Sequence, residues 1–434
     1  MDEFLSLLNG GLDGGITLRL QSVAGLFAFS AIAWAFSEDR SRFPWAMFFG
    51  ATAFQIVVAA GLLYTPGARD ALAYLNVVVA TLQEATSAGT SFVFGYVGGA
   101  PAPFDVVNDS GMFTFAFQGL PLVIFISALA ALLWHVGILR VIVGAFAATL
   151  EKAFGVGGAV ALSTAANVLL GQTEAPLLIR AYLSKLSRSE FFVVMTGGLA
   201  TVAGSVMVLY SIILGPVTPS ALGHVLVASM ISAASAILMA RIMVPPDWNE
   251  TPTDAAAGDD LKYTGAMDAF MTGVTEGLKL YLNIIACLIA FVAMAALINI
   301  IIGSFGEIGG EPLTLQRMFG FVFAPLVWLA GVPASEALQA GALMGEKTAL
   351  NELIAYVSLA QTPEGVFSER TELIMIYSLC GFASFGSIGI IVGGLTSIAP
   401  ERRQDVLDLG PKALISSTLA TLMSGSIIGV IWFG

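Results

Sequence analysis

Two glutamates stand in stretches that are otherwise almost free of charge. Glu174 closes the run Gly171-Gln172-Thr173-Glu174, and Glu352 follows Asn351. A charge at the centre of a bilayer costs about 2.5–3.5 kcal/mol on insertion scales. Two such carboxylates in apolar surroundings therefore imply a function that uses them. A carboxylate in a polar pocket accepts hydrogen bonds from hydroxyls and amines, and such charge-assisted bonds are roughly twice as strong as neutral ones. The Asn351-Glu352 pair suits a solute with several hydroxyls. Gln172 and Thr173 add amide and hydroxyl groups suited to the edge of a heterocycle. The structural alternative is an ion pair between Glu352 and Lys347, about one and a half helical turns away. Asn167, one turn before Gly171, and Thr201 offer oxygen ligands of the kind that suit a hard cation such as sodium. A proton would need only one titrating carboxylate, and a hairpin cap is the alternative role for Asn167.

Other chemistry lacks a motif. His135 and His224 are isolated and read as packing residues. No HExxH, paired cysteine or glycine-rich phosphate loop occurs. A hydrolase pair of Ser384 or Ser387 with His135 has no signature behind it. Cys287 and Cys380 lie in apolar runs and read as small core residues rather than a disulfide. The sequons at Asn108 and Asn249 are short matches that arise easily by chance.

These residues must be positioned by an unusually apolar chain. Of 434 residues, 57% are hydrophobic and 11% charged, with a net charge of -12. Soluble domains carry about 25% charged residues. Mean hydropathy is +0.87. That composition excludes a soluble enzyme, a nucleic-acid binder and a disordered chain, and leaves a polytopic membrane protein. The 18 basic residues form no run that would grip a phosphate backbone. The opening MDEFLSLLNGG carries Asp2 and Glu3 where a signal peptide would be basic, so no cleaved signal is expected.

Uncharged stretches run over 20–37, 43–68, 110–139, 153–173, 191–240, 280–306, 318–335, 373–400 and 413–434. The stretch 191–240 holds two spans, divided at Gly215-Pro216 and Pro219. Residues 153–173 are rich in Gly, Ala, Ser, Thr and Asn. Residues 318–335 contain Pro325 and Pro333 and run into a segment with Glu336, Glu346, Lys347 and Glu352. Both are too polar to face lipid and are expected to form re-entrant hairpins. The expected fold is all-α, with about eight transmembrane helices plus two hairpins. Residues 69–90 read as a helix lying in the interface. Placing Arg40, Arg42, Arg140, Lys152, Arg180, Lys185, Arg188, Arg241, Lys262, Arg402, Arg403 and Lys412 on the inside gives one threading, with both termini outside. Arg69, Arg317 and Arg370 fall outside it.

The chain also repeats itself. Gly198-Leu199-Ala200-Thr201 matches Gly381-Phe382-Ala383-Ser384, and each follows a glutamate and an apolar run. Upstream of each lies a hairpin with its acidic motif. On the threading above the two copies run in opposite directions, so the repeat is inverted. Both copies are interrupted in mid-span by Gly and hydroxyl residues. Paired interruptions point to a transporter's binding site, because a broken helix frees backbone groups for an ion or polar solute. The alternative is that both motifs are small-residue packing faces.

The segments GQTEAPLLIRAYLSKLSRSEFFVVMTGGLATVAGS, EKTALNELIAY and LCGFASFGSIGIIVGGLTSIAPERR resemble the signatures of the concentrative nucleoside transporter family. The resemblance covers roughly residues 110–434. It implies a bacterial inner-membrane, multi-pass homotrimer that imports nucleosides with a cation by an elevator-like movement. It also implies that Gln172, Thr173 and Glu174 contact the nucleobase, directly or through water, with Gly171 in the same substrate site. Glu352 and Ser387 would contact ribose hydroxyls, with Phe382 and Val206 lining the pocket. The sodium site would comprise Asn167, Thr201 and the carbonyls of Leu170 and Val202. The family has Asn where this chain has Ser384. Ser lacks the NH2 donor, which implies a ribose grip through water and acceptance of deoxynucleosides.

The expected organisation is 1–150 as mainly scaffold spans, 151–244 as the first hairpin and repeat, 263–312 as a scaffold span with an interfacial segment, and 313–434 as the second hairpin and repeat. No enzyme activity and no cofactor beyond a coupling sodium ion is expected. Partners are the nucleoside, membrane lipid and two further copies, and no nucleic acid. Other readings are an elevator-type symporter for a different small polar solute, such as a carboxylate, and a channel. Two glutamates in the hairpins disfavour an anionic cargo.

Overall fold

Inside hydrocarbon, each backbone N–H and C=O must find its partner within the segment, so long uncharged runs become helices. The computed structural model describes residues 12–41, 43–107, 112–172, 174–218, 220–246, 263–304, 306–308 and 311–432. The chain start, Arg42, both sequons, Thr173 and Lys262 lie outside those residues.

The chain opens with α1 (Leu12–Ala35), α2 (Trp45–Tyr64) and the more polar α3 (Pro66–Phe94). A π-helical turn at Phe115–Gly119 leads into α4 (Leu122–Val136), followed by α5 (Ile138–Phe154). The first hairpin consists of α6 (Gly158–Asn167), a tip, a 3-10 turn at Ala175–Ile179 and the short α7 (Arg180–Leu183). Next come α8 (Arg188–Ala200), α9 (Gly204–Ile213), α10 (Ala221–Met243) and α11 (Ala266–Gly303). A two-residue antiparallel pairing of Glu307–Ile308 with Glu311–Pro312 precedes α12 (Leu315–Ala330). The second hairpin is α13 (Ala337–Ala349) and α14 (Glu352–Ala360). The chain continues through α15 (Glu369–Leu379), α16 (Phe385–Ile398) and α17 (Arg403–Ile431).

Among the described residues, seven helical segments are long and apolar enough to cross a membrane, one of them the interrupted pair α8–α9. Counting α15 with α16 in the same way gives eight. The helix α3 is not among the seven. The second hairpin differs from its expected position. Residues 315–330 form one apolar helix with Pro325 inside it, and Gly331 at φ +111° ends that helix. The hairpin turn falls instead at Leu350 and Asn351, between α13 and α14.

The broken helices are as expected. Thr201 and Ala203 are extended, separating α8 from α9. Cys380 and Ser384 are extended around Gly381 at φ +155°, separating α15 from α16. Each repeat starts with a serine cap. Ser187 accepts from Glu190 N at 3.2 Å, while Glu190 Oε2 accepts from Ser187 N at 2.8 Å. Ser368 accepts from Thr371 N at 3.4 Å.

Two layers result. In one, α8, α10, α15 and α17 are largely buried and pack on one another, with α1 against α17 and α2 against α10. The other is the pair α4–α11. Of its 38 residues, α11 buries only Ala269, Gly273, Gly277, Tyr281 and Ala295. The four-residue spacing of the first four makes one stripe, which faces α4. A Cβ on Gly273 would lie 2.6 Å from Ala128 Cα, and one on Gly277 would lie 2.7 Å from Ile124 Cα. At one end of the molecule, Glu38 meets Arg188 at 3.0 Å and Lys412 at 2.7 Å, and Asp405 meets Arg402 at 2.6 Å. These pairs tie the segment after α1 to the starts of α8 and α17.

Candidate functional site

Both hairpin tips and both helix breaks converge on one cavity of about 420 Å³. Small-molecule sites run from about 300 to 1,000 Å³. The first hairpin contributes Gly171, Gln172 and Glu174, and the start of α9 contributes Ala203, Val206 and Tyr210. The second hairpin supplies Asn351 and Glu352, and the second break supplies Phe382, Ser384 and Ser387. The amino ends of α9, α14 and α16 thus open onto the cavity. A helix amino end carries unpaired N–H groups and positive partial charge, a setting that supports the two carboxylates and the oxygens of a solute.

Of the nine residues expected to bind substrate, Gly171, Gln172, Glu174, Val206, Glu352, Phe382, Ser384 and Ser387 line this cavity, and Thr173 lies outside the described residues. Glu352 is 6% exposed. Its Oε1 accepts a hydrogen bond from Tyr210 at 2.5 Å, and its Oε2 is buried without a partner among the described residues. Among the described residues Gln172 Oε1 is also buried without one. Buried acceptors of this kind are costly unless a donor arrives. Asn351 Oδ1 caps α14, accepting from Ile354 N at 2.9 Å. Ser384 Oγ caps α16, accepting from Ser387 N at 3.3 Å, and lies 3.0 Å from Ser387 Oγ. Lys347 makes no ion pair with Glu352. Its Nζ donates to Ser378 O at 2.8 Å and to Thr421 Oγ1 at 2.9 Å.

The expected cation ligands gather where the first hairpin meets the first break. Asn167 Nδ2 donates to Gly197 O at 3.1 Å and Gly198 O at 3.2 Å, and also to Thr201 Oγ1. Asn167 Oδ1 is buried with no partner among the described residues. Gly204 N reaches back to Leu169 O at 3.1 Å, which holds the Leu170 segment on the break next to Val202. The donor set is all oxygen and the amide oxygen is free, which fits a hard cation.

Sequence reasoning missed two parts of the cavity. Tyr210 looks like one more apolar ring until α9 and α14 pack together. The wall from α11 was also missed: Glu276, Lys279, Asn283, Cys287 and Phe291 all line the cavity, with Glu276 and Lys279 ion-paired at 2.7 Å. Their spacing of three and four places them on one helix face, and that polar spacing was a readable signal.

The family model "Na+ dependent nucleoside transporter C-terminus" matches residues 224–429, its N-terminal counterpart matches 24–97, and "Nucleoside recognition" matches 116–217. The nucleoside permease NupC of Helicobacter pylori is 35% identical over 95% of this chain and 97% of its own length. The chain belongs to the concentrative nucleoside transporter family. The putative nucleoside permease NupX of Escherichia coli is 32% identical over 94% of this chain and 98% of its own. The structure of CNTnw in an inward-facing substrate-bound state superposes with a TM-score of 0.85, at 36% identity, covering 95% of this chain and 97% of that one. A variant of the same protein in an outward-facing state superposes with a TM-score of 0.85 at 35% identity. This family member is a multi-pass membrane transporter, not an enzyme.

Proposed function

We propose that the protein imports nucleosides across a bacterial inner membrane, coupled to sodium, by an elevator-type alternation of access. The cavity carries this reading. It combines two carboxylates, three helix amino ends and two buried acceptors, Gln172 Oε1 and Glu352 Oε2, that have no partner among the described residues. A nucleoside brings the donors they lack: base N–H groups for Gln172 and ribose hydroxyls for Glu352, with Phe382 and Val206 as apolar walls. Ser384 and Ser387 are spent partly on each other, which favours tolerance of sugars lacking a hydroxyl.

Sodium occupies the oxygens around Asn167, Thr201, Leu170 and Val202 in this reading. Gly204 N and Leu169 O link that ion site to the substrate-facing tip, so filling one stiffens the other. Residues 151–244 and 313–434 carry the hairpins and broken helices and travel together. The lipid-facing α11 and its partner α4 remain with the homotrimer. Within the first 150 residues, α1 and α2 pack on α17 and α10 and therefore move with the cavity.

Labelled uridine uptake into proteoliposomes tests this. A sodium gradient is expected to drive accumulation above equilibrium, competed by other nucleosides and not by carboxylates. Absence of uptake under both sodium and proton gradients would end the proposal.

A further inference from the structure

The carboxyl ends of the two broken helices face one another. The helix α8 ends at Ala200 and α15 at Leu379. Between them lies Gly381, where an added Cβ would be 2.7 Å from Ala200 O. Each helix end carries roughly half a negative elementary charge, together with carbonyls that have no partner in a following turn. Two such ends held in contact repel unless positive charge is supplied.

The two ends are treated differently. At the first, the side chains reaching the carbonyls of Gly197 and Gly198 are Asn167 and Thr201, both neutral. At the second it is Lys347, whose side chain is completely buried. Its ammonium donates to Ser378 O at 2.8 Å and Thr421 Oγ1 at 2.9 Å. The neighbouring carbonyls of α15 are also taken. Tyr356 OH donates to Ile376 O at 2.8 Å, and Cys380 N reaches Tyr377 O at 3.3 Å. A buried ammonium is retained only where acceptors and negative potential compensate it, and a helix carboxyl end supplies both.

We propose that Lys347 is a resident cation, whose tethered ammonium fills the second break as a mobile ion fills the first, so that one coupling cation accompanies each nucleoside. This rests on the symport reading above. Lys347 lies on the same hairpin as Glu352, five residues earlier, so the fixed charge travels with the carboxylate that meets the solute. The inverted repeat thus keeps two cation positions and leaves one of them exchangeable.

The test is the charge carried per nucleoside, read in proteoliposomes from the membrane potential that just halts net uridine uptake. This reading does not depend on which cation is carried. One charge is expected; two would overturn the inference while leaving symport intact. Uptake driven by no gradient would remove the symport reading itself. Lys347→Ser leaves polar space, and uptake is expected to collapse at ordinary sodium and recover at high sodium with a Hill coefficient rising from about 1 towards 2. Lys347→Met fills the space with an apolar chain and is expected to stay inactive at every sodium concentration while remaining a folded oligomer on gel filtration. Wild-type sodium dependence in both variants would overturn the proposal. Should either variant fail to fold, the wild-type charge ratio still decides it.

Discussion

Tyr210 and Glu352, 142 positions apart in the chain, share a 2.5 Å hydrogen bond that joins the first broken helix to the second hairpin. The bond fixes one carboxylate oxygen and leaves the other without a partner among the described residues. It therefore sets the geometry in which a sugar hydroxyl would be met.

Tyr210→Phe removes that donor and leaves both oxygens of a buried carboxylate unpartnered. Such a loss costs about 1–3 kcal/mol, so KM for uridine is expected to rise about 5- to 150-fold with expression unchanged. Glu352→Gln is expected to abolish uptake while the oligomer survives extraction. The double variant should be little worse than Glu352→Gln alone, because the two residues act as one unit. An unchanged KM in Tyr210→Phe would remove the tyrosine from the site.

Asn167→Ala deletes the buried amide oxygen with no partner. The sodium concentration for half-maximal uptake should rise at least about tenfold, since a lost ligand to a cation is worth more than a neutral hydrogen bond. Uridine binding at saturating sodium should be nearly unchanged. Calorimetry at two sodium concentrations separates these quantities. Equal loss of binding at both would assign Asn167 to the hairpin cap alone.

Ser384→Asn restores an amide donor at the second break. It should sharpen discrimination between uridine and 2′-deoxyuridine by about fivefold, the value of one hydrogen bond of about 1 kcal/mol. Competition uptake with the two nucleosides reads this directly. A wild type that already rejects deoxynucleosides strongly would contradict the role given to Ser384.

Gly381→Ala places a methyl group 2.7 Å from Ala200 O and 2.8 Å from Thr421 Cγ2, at φ +155°. Neither neighbour is free to retreat, since one is backbone and the other also holds Lys347 through its hydroxyl. Thermal stability in detergent should fall sharply, by the several kcal/mol typical of overpacking at a strained position. Gly389→Ala is the control, because nothing lies within 4 Å of the added atom.

Glu38 gives a pH dependence. The hydrogen bond from Arg188, and then Lys412, holds its carboxyl below the ordinary value of 4.5, against an opposing effect of partial burial. A carboxylate with a depressed pKa stabilises the fold above its unfolded value, and that stability is lost as pH falls through the folded one. Melting temperature should therefore be flat near neutrality and decline below about pH 4.5, with a shallower decline in Glu38→Gln. The effect is small, because the network is solvent-exposed and screened by salt. An identical acid profile in the variant would show that other groups govern it.

Much of the architecture was legible because hydrocarbon permits few solutions. Uncharged runs became helices, and the Gly and hydroxyl residues of Gly198–Thr201 and Gly381–Ser384 became breaks. The hairpin acids could be read as a site since their cost in lipid demands a reason. What escaped was settled by packing between distant segments. Tyr210 carries no local sign that its hydroxyl will meet Glu352. Lys347 lies near Glu352 in sequence, yet the crossing of α15 and α17 directs it to Ser378 and Thr421 instead. The stretch 318–335 with its two prolines fits a hairpin, but Pro325 lies inside a helix that continues to Ala330 and the turn falls at Leu350 and Asn351.

The glycine seam between α4 and α11 has a mechanical consequence. With Gly273 and Gly277 set against Ala128 and Ile124, the two backbones lie in contact, with little more than the Cβ atoms of Ser127 and Ala131 beside them. Such a joint has little compliance and acts as a keel. In the proposed elevator movement the remaining helices would travel along the adjoining face of α11, past a rail whose texture runs from the Glu276–Lys279 pair to the ring of Phe291.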